Sequence, residues 1–204
     1  MTGPARRIEP LAGRVDAEVV VPGSKSITNR ALLAAGLAAG TSRLRGILVA
    51  EDTDAMVSCV TALGASVTPG PGATTVTVSG VGGRLPAGPR TLHAARSGTT
   101  ARFVAAACAA GPGPYRVDGA EQMRRRPMGP SFDALRALGA TVREQGAAGH
   151  LPAVISGPAR GGTVRVRGDV TSQSPRACCW RGRCSGTAYG SSSPRRWCPG
   201  PTSS

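Results

Sequence analysis

The stretch Ala62-Leu63-Gly64-Ala65-Ser66-Val67 returns later in the chain as Ala137-Leu138-Gly139-Ala140-Thr141-Val142. A second echo accompanies it: Arg30 leads into an alanine-rich run, and so does Arg102. The offset, about 72 to 75 residues, is long for a solenoid repeat and long enough for one βαβαββ unit. An α/β fold follows, with units starting near residues 17, 90 and 163, so that about two and a half units of one domain are expected in 1–173. Within the first unit the pattern predicts a strand at Ala17 to Val21 and a helix over Ser26 to Ala39. Thr41 to Val49 then reads as strand and turn, and Asp52 or Thr53 as the cap of a helix running through Leu63. Strands near Ala65 to Thr68 and Thr74 to Ser79 complete the unit. Gly64 and Gly139 sit where a helix C-cap needs a left-handed residue before the next strand.

A repeat of this kind places the helices that open each unit at equivalent positions. Their starts read Ser24-Lys25-Ser26, Ser97-Gly98-Thr99 and Thr171-Ser172-Gln173. Small polar residues there let an anion reach unpaired backbone N–H groups at the positive end of the helix dipole. Plain N-capping explains any one of these starts, but the surrounding charge favours an anion site. Lys25 is the only lysine among 25 basic residues, and a lysine is a compact point charge that can enter a tight phosphate or carboxylate site. Arg30 and the run Arg124-Arg125-Arg126 add further positive charge.

The net charge is +14, of which +9 belongs to residues 1–173. The arginines are scattered and Phe103, Tyr115 and Phe132 are isolated, so a basic stripe with stacking aromatics is missing and no specific nucleic acid is expected. Small anionic substrates fit better. With 3% aromatic residues, the core must be filled by Ala, Val and Leu. No apolar run is long enough for a bilayer, and Met1 to Pro10 is followed by no h-region, so the default location is cytoplasmic. His93 and His150 lack ligand spacing with the acidic residues, and neither metal nor cofactor is implied. Cys59 and Cys108 fall on expected helices and read as core thiols.

Four ordered motifs now carry a resemblance. Pro22-Gly23-Ser24-Lys25-Ser26-Ile27-Thr28-Asn29-Arg30-Ala31-Leu32, Ser97-Gly98-Thr99-Thr100-Ala101-Arg102, Met123-Arg124-Arg125-Arg126-Pro127-Met128-Gly129 and Thr171-Ser172-Gln173 stand in the order and spacing of the enolpyruvyl transferases. Over residues 15–173 the chain resembles the EPSP synthase (3-phosphoshikimate 1-carboxyvinyltransferase) family among them. The resemblance implies the inside-out α/β barrel fold, and transfer of the enolpyruvyl group of phosphoenolpyruvate to shikimate 3-phosphate in the shikimate pathway of aromatic amino acid biosynthesis. It also implies a cytoplasmic, typically monomeric enzyme. By the same resemblance Lys25, Ser26 and Arg30 hold shikimate 3-phosphate, with Lys25 also reaching phosphoenolpyruvate. Gly98, with Thr99 beside it, and Arg126 contact phosphoenolpyruvate, and Thr171, Ser172 and Gln173 bind the shikimate phosphate and ring. Two departures stand out: Thr171 replaces a usual Ser, and Arg96-Ser97 replaces the common Asn-Ala. The related transferase that acts on UDP-N-acetylglucosamine has Asn after the lysine and a Cys before the Arg-Pro pair. Here Ser26 follows Lys25, and Glu121 to Pro127 contains no Cys.

After Gln173 the composition changes. Cys178, Cys179, Cys184 and Cys198, with Trp180 and Trp197, all lie in the last 31 residues. The cysteine spacing lacks the paired knuckles of structural zinc sites, and a disulfide tail needs an oxidising compartment. A third reading explains more. Written in GC-rich codons and read one frame over, Ala177 to Ser185 becomes Leu-Leu-Leu-Ala-Gly-Pro-Leu-Leu, and Cys198 to Thr202 becomes Ser-Arg-Pro-Tyr-Val. Both strings resemble the family's continuation beyond Ser-Ser-Gln, so 174–204 is expected to be an aberrant, disordered or out-of-frame tail after loss of one base near Gln173. The family's second domain, with its acid/base residues, is then absent, no catalytic residue is expected in 1–173, and little or no turnover and poor solubility are expected. The alternative class is a non-catalytic anion-binding fragment.

Overall fold

The computed structural model describes residues 13–14, 16–164 and 195–197. Its first unit contains α1 (Lys25–Leu37), β1 (Thr41–Arg45), α2 (Glu51–Ala62), β2 (Ser66–Pro69) and β3 (Thr75–Ser79). The second contains β4 (Arg90–His93), α3 (Gly98–Cys108), β5 (Tyr115–Asp118), α4 (Glu121–Arg124), α5 (Gly129–Ala137), β6 (Thr141–Glu144) and β7 (Ala153–Ser156). Strand β8 (Gly162–Val164) comes next and pairs antiparallel with β9 (Arg195–Trp197).

The repeat is visible in the sheets. The first is ordered β1-β3-β2 and the second β4-β5-β7-β6, so β5-β7-β6 reproduces β1-β3-β2. Strands β4 and β5 run parallel, with Arg90 opposite Tyr115 and His93 opposite Asp118. Nothing in the first sheet matches β4. The expected strand Ala17 to Val21 forms neither strand nor helix, and Val19, Val20 and Val21 are exposed. Its β-propensity is high, but a strand is stabilised by a ladder, and no strand of the first sheet pairs with it. The cap of α2 also differs from expectation. The helix begins at Glu51 with Ala50 as N-cap, and Thr53 works from inside the first turn, accepting from the Ala50 N–H at 2.9 Å and donating to the Ala50 carbonyl at 2.8 Å.

Helices α2 and α5 end alike. Gly64 and Gly139 take positive φ of 99° and 92°. The N–H of Ala65 returns to Val60 and that of Ala140 to Leu135, each at 3.0 Å, which closes a Schellman turn before each strand. A second pair of glycines meets a different need. A Cβ on Gly80 would lie 2.2 Å from the Ala38 carbonyl oxygen, and one on Gly157 would lie 2.2 Å from that of Ala109. At both places the chain leaving the sheet's central strand presses on the end of the unit's first helix.

Packing runs through α1, α2 and α3, which contact one another and cover the sheets. Small residues allow close approach: a Cβ on Gly36 of α1 would stand 3.1 Å from Val60 Cβ of α2. The few large side chains go to the centre, with Leu32, Leu33, Met56, Val104, Tyr115, Met123, Met128 and Phe132 fully buried. Each contributes on the order of 1.5–3 kcal/mol in apolar transfer. Cys59 and Cys108 are buried free thiols; burial pushes Cys59 up to about 12 and Cys108 well above its usual value. Among the described residues, no helix is long and apolar enough to cross a membrane.

Candidate functional site

Parallel strands put the loops that follow them at one end of the sheet, the usual place for a ligand in α/β folds. Here β4 runs into 94–97 and the start of α3, while β5 runs into 119–128. The two loops are tied together: Ala94 N–H donates to the Asp118 carbonyl at 2.8 Å, and Ala120 N–H to that of Ala95 at 2.9 Å. Ala95 has φ of 48°, a left-handed conformation that costs a residue with a Cβ about 1–2 kcal/mol. That strained turn delivers Arg96, Ser97 and Gly98 to the helix start, where Ser97 Oγ accepts from the Thr100 N–H at 3.2 Å.

The starts of α1, α2 and α3 converge beside this loop. Thr100 of α3 donates to the backbone carbonyl of Asp52 in α2 at 3.2 Å or to Ser97 Oγ at 2.8 Å, and Asn29 Nδ2 of α1 lies 3.5 Å from the same hydroxyl. Asn29 is fully buried and its Oδ1 has no hydrogen-bond partner. Arg30 stacks over Phe103 at 5.4 Å from the ring centroid and donates to the Ser26 carbonyl at 2.9 Å. Ser24 makes no side-chain cap to α1, so the backbone donors of that end keep no partner from its hydroxyl. The loop before α1 is pressed against the chain after β1, because a Cβ on Gly23 would lie 2.1 Å from the Gly46 carbonyl oxygen.

Lys25 does not stand alone. Its Nζ lies 2.6 Å from Asp52 Oδ2, and Arg96 pairs with Glu51 at 3.8 Å. The carboxylates of the α2 start therefore face the cations of the α1 and α3 starts, and an arriving anion must compete with them. Sequence reasoning missed both partners. Residues 25 and 52 are joined by no periodicity, and the clue was only the acidic pair at the head of a helix.

The arginine run is divided by its neighbours. Arg124 makes a bidentate contact with Asp118, Nε to Oδ1 at 2.9 Å and Nη2 to Oδ2 at 2.8 Å, and Arg125 pairs with Glu121. Arg126 is exposed and has no ion pair with a described residue. Burial lowers the pKa of Arg102, and the positive charge of Arg126 nearby lowers it further. Arg102 donates to the carbonyls of Gly98, at 3.3 Å, and Pro127, at 2.9 Å, so it clamps the 125–128 chain to the α3 start. At Asp118, burial pushes the carboxyl up, but the Arg124 hydrogen bonds, the Gly119 N–H and the charges of Arg116 and Arg124 outweigh it and hold the group below the usual range.

Of the residues expected at the site, the described ones fall into one region: Lys25, Ser26 and Arg30 at the α1 start, Gly98 and Thr99 at the α3 start, and Arg126 on the loop clamped beside it. Thr171, Ser172 and Gln173 lie outside the described residues. Among the described residues no group of three or more His, Cys, Asp or Glu could hold a metal ion.

Fold and site together define a repeated α/β unit that gathers helix starts and selected cations at the carboxyl end of its parallel strands. The family model of EPSP synthase (3-phosphoshikimate 1-carboxyvinyltransferase) matches residues 11–179, and the chain belongs to that family. The 3-phosphoshikimate 1-carboxyvinyltransferase of a Nostoc species is 45% identical over 160 residues, covering 78% of this chain and 38% of that protein. That of Opitutus terrae is 45% identical over 169 residues, covering 81% and 39%. A solved EPSP synthase from Acinetobacter baumannii superposes with a TM-score of 0.71 at 27% identity, over 80% of this chain and 38% of that one. The fold is that of the enolpyruvyl transferases, and the chain spans about two-fifths of the length of the curated relatives it matches.

Proposed function

We propose that residues 15–173 form one wall of an EPSP synthase site, which binds phosphoenolpyruvate and shikimate 3-phosphate and reacts them only together with the rest of the family's length. The observation that carries this is the meeting of the α1 and α3 starts through Asn29 and Thr100, with Lys25 and Arg30 on α1 and Arg126 on the loop that Arg102 holds to the α3 start. Both substrates are multiply anionic. Backbone donors and fixed cations offset their repulsion and turn an encounter into an oriented step. In the proposed reaction the C5 hydroxyl of shikimate 3-phosphate forms a C–O bond at C2 of phosphoenolpyruvate and gives up its proton, while C3 gains one. Phosphate then leaves C2 and a proton leaves C3, which restores the double bond in the product.

Lys25, Ser26 and Arg30 hold the shikimate phosphate in this reading, Gly98, Thr99 and Arg126 hold phosphoenolpyruvate, and Thr171, Ser172 and Gln173 complete the sugar-acid side. None of them is assigned the proton transfers, and this chain alone turns over little or not at all. Residues 174–204 are proposed to be read out of frame. The abrupt rise in Cys and Trp after Gln173 supports this, and the family match, which runs to residue 179, stops within that segment. Exposure of Val19, Val20, Val21, Ile27 and Val49 supports poor solubility of the chain by itself.

The test is calorimetric titration of the full chain with phosphoenolpyruvate and with shikimate 3-phosphate, repeated for Lys25→Met and Arg126→Ala. Saturable binding of both, weakened about tenfold or more by either change, is the expected result. Weak binding of any polyanion with a steep salt dependence, indifferent to both substitutions, would favour the non-catalytic anion-binding fragment.

A further inference from the structure

Three arginines follow one another at 124–126, and their neighbours assign them different tasks. Arg125 is paired on the surface with Glu121, both side chains being about three-quarters exposed, and such a pair contributes little. Arg124 points back to the sheet. There the Asp118 carboxylate, 4% exposed, accepts three hydrogen bonds, from Gly119 N–H and Arg124 Nε on Oδ1 and from Arg124 Nη2 on Oδ2, at 2.8–2.9 Å, and pairs with Arg116 Nη1, which lies 2.9 Å from Oδ2. A buried carboxylate with both oxygens hydrogen-bonded and a second guanidinium beside it is a rigid anchor, because every departure of a partner leaves charge uncompensated in a poorly solvated place.

The anchor acts on a short piece of chain. Gly119 has no room for a side chain, its Cβ position lying 2.9 Å from both the Ala95 carbonyl oxygen and Met123 Cβ. Met123 and Met128 are buried plugs at either end, and Arg126 N–H donates to the Met123 carbonyl at 3.1 Å. Between the plugs two polar ties hold the chain: Arg102 grips the Pro127 carbonyl from α3, and the Asp118–Arg124 fork joins the α4 turn to the sheet. Arg126 leaves the turn two residues later.

We infer that Asp118 is a positioning residue for the anion site: by gripping Arg124 it fixes the turn from which Arg126 projects and keeps Arg124 from serving as the anion ligand itself. The inference rests on the reading of Arg126 as a phosphoenolpyruvate ligand. It assigns a duty to a residue whose own side chain touches no substrate.

Asp118→Asn keeps the shape and removes the charge. Arg124→Lys keeps the charge and removes the fork, and because Arg124 is half exposed it serves as the test even where the buried change prevents folding. In the full chain, each should weaken phosphoenolpyruvate binding about tenfold, since misplacing a ligating group by about 1 Å is enough for such a loss. In an Arg126→Ala background neither should cost more than about twofold further. Phosphoenolpyruvate should shift the Arg126 Nε–Hε resonance in the unsubstituted chain and leave it nearly unmoved in both variants, which a loss of global stability alone would not produce. Binding within twofold of the parent in the Arg124→Lys chain, or an equal loss with and without Arg126, overturns the inference. If Arg126→Ala weakens binding while Arg124→Lys and Asp118→Asn do not, only the role of Asp118 fails. If the unsubstituted chain binds no phosphoenolpyruvate, the site reading fails and this inference with it.

Discussion

Gly80→Ala probes the repeat where it is least forgiving. The added Cβ would sit 2.2 Å from the Ala38 carbonyl oxygen and 2.3 Å from that of Ala35, where contacts under 3.0 Å essentially never occur. The chain after β3 must therefore retreat from the end of α1 by most of an ångström. Overpacking of this kind costs about 1–3 kcal/mol. The retreat also strains the Gly80 N–H bond to the Gly40 carbonyl, now 2.9 Å, which contributes about 0.5–1.5 kcal/mol. Together the loss is roughly 2–4 kcal/mol, or about 5–15 °C in Tm at 2–4 °C per kcal/mol for a chain of this size. Gly157→Ala should do the same in the second unit, where the Cβ would meet the Ala109 carbonyl oxygen at 2.2 Å. Gly64→Ala is the comparison, because its burden is a positive φ of 99°, about 1–2 kcal/mol of strain, with a Cβ that would come no nearer than 3.3 Å to the Val81 side chain. Thermal and urea unfolding followed by far-UV circular dichroism measures all three. A loss in Gly80→Ala no greater than in Gly64→Ala would refute the claim that backbone approach demands this glycine.

Peptide mapping after alkylation should find Cys59 and Cys108 unmodified at pH 8 in the folded chain and modified once it is unfolded, because burial raises both thiols and leaves little thiolate. Ala95→Gly should raise Tm by about 2–4 °C, since the roughly 1–2 kcal/mol of left-handed strain it relieves at φ 48° exceeds by about 1 kcal/mol the roughly 0.5–1 kcal/mol of extra chain entropy a glycine loses on folding. Asp118 has a folded pKa below its ordinary value, so the stability it contributes is fully present above about pH 4 and is lost as pH falls through the lower folded value. The stability gap between the parent chain and Asp118→Asn should accordingly be widest near neutrality and shrink below pH 4, as acid titrations of both would measure.

Features set by local chemistry were legible in the sequence. Gly64 and Gly139 were readable as caps because a left-handed turn needs glycine whatever surrounds it, and the small polar residues before α1 and α3 were readable as helix starts. Contacts that depend on the fold were not legible. Lys25 meets Asp52, Arg96 meets Glu51 and Asp118 meets Arg124 only after helices and loops are brought to one end of a sheet. Gly80 and Gly157 end Val78-Ser79-Gly80 and Ile155-Ser156-Gly157, a weaker echo of the repeat that gains meaning once their distance to the helix ends is known. Ala17 to Val21 misled because β-branched residues suggest a strand, while a strand also requires a neighbour with free hydrogen-bonding groups.

Residues 15–173 are proposed to carry one anion-binding wall built from two repeat-related helix starts and Arg126. Amide resonances followed while phosphoenolpyruvate and then shikimate 3-phosphate are added to the full chain test it most directly. Saturable shifts concentrated at 24–30, 97–102 and 124–128, and absent in Lys25→Met, are the expected result. Shifts spread over the surface arginines and unchanged in Lys25→Met would contradict it.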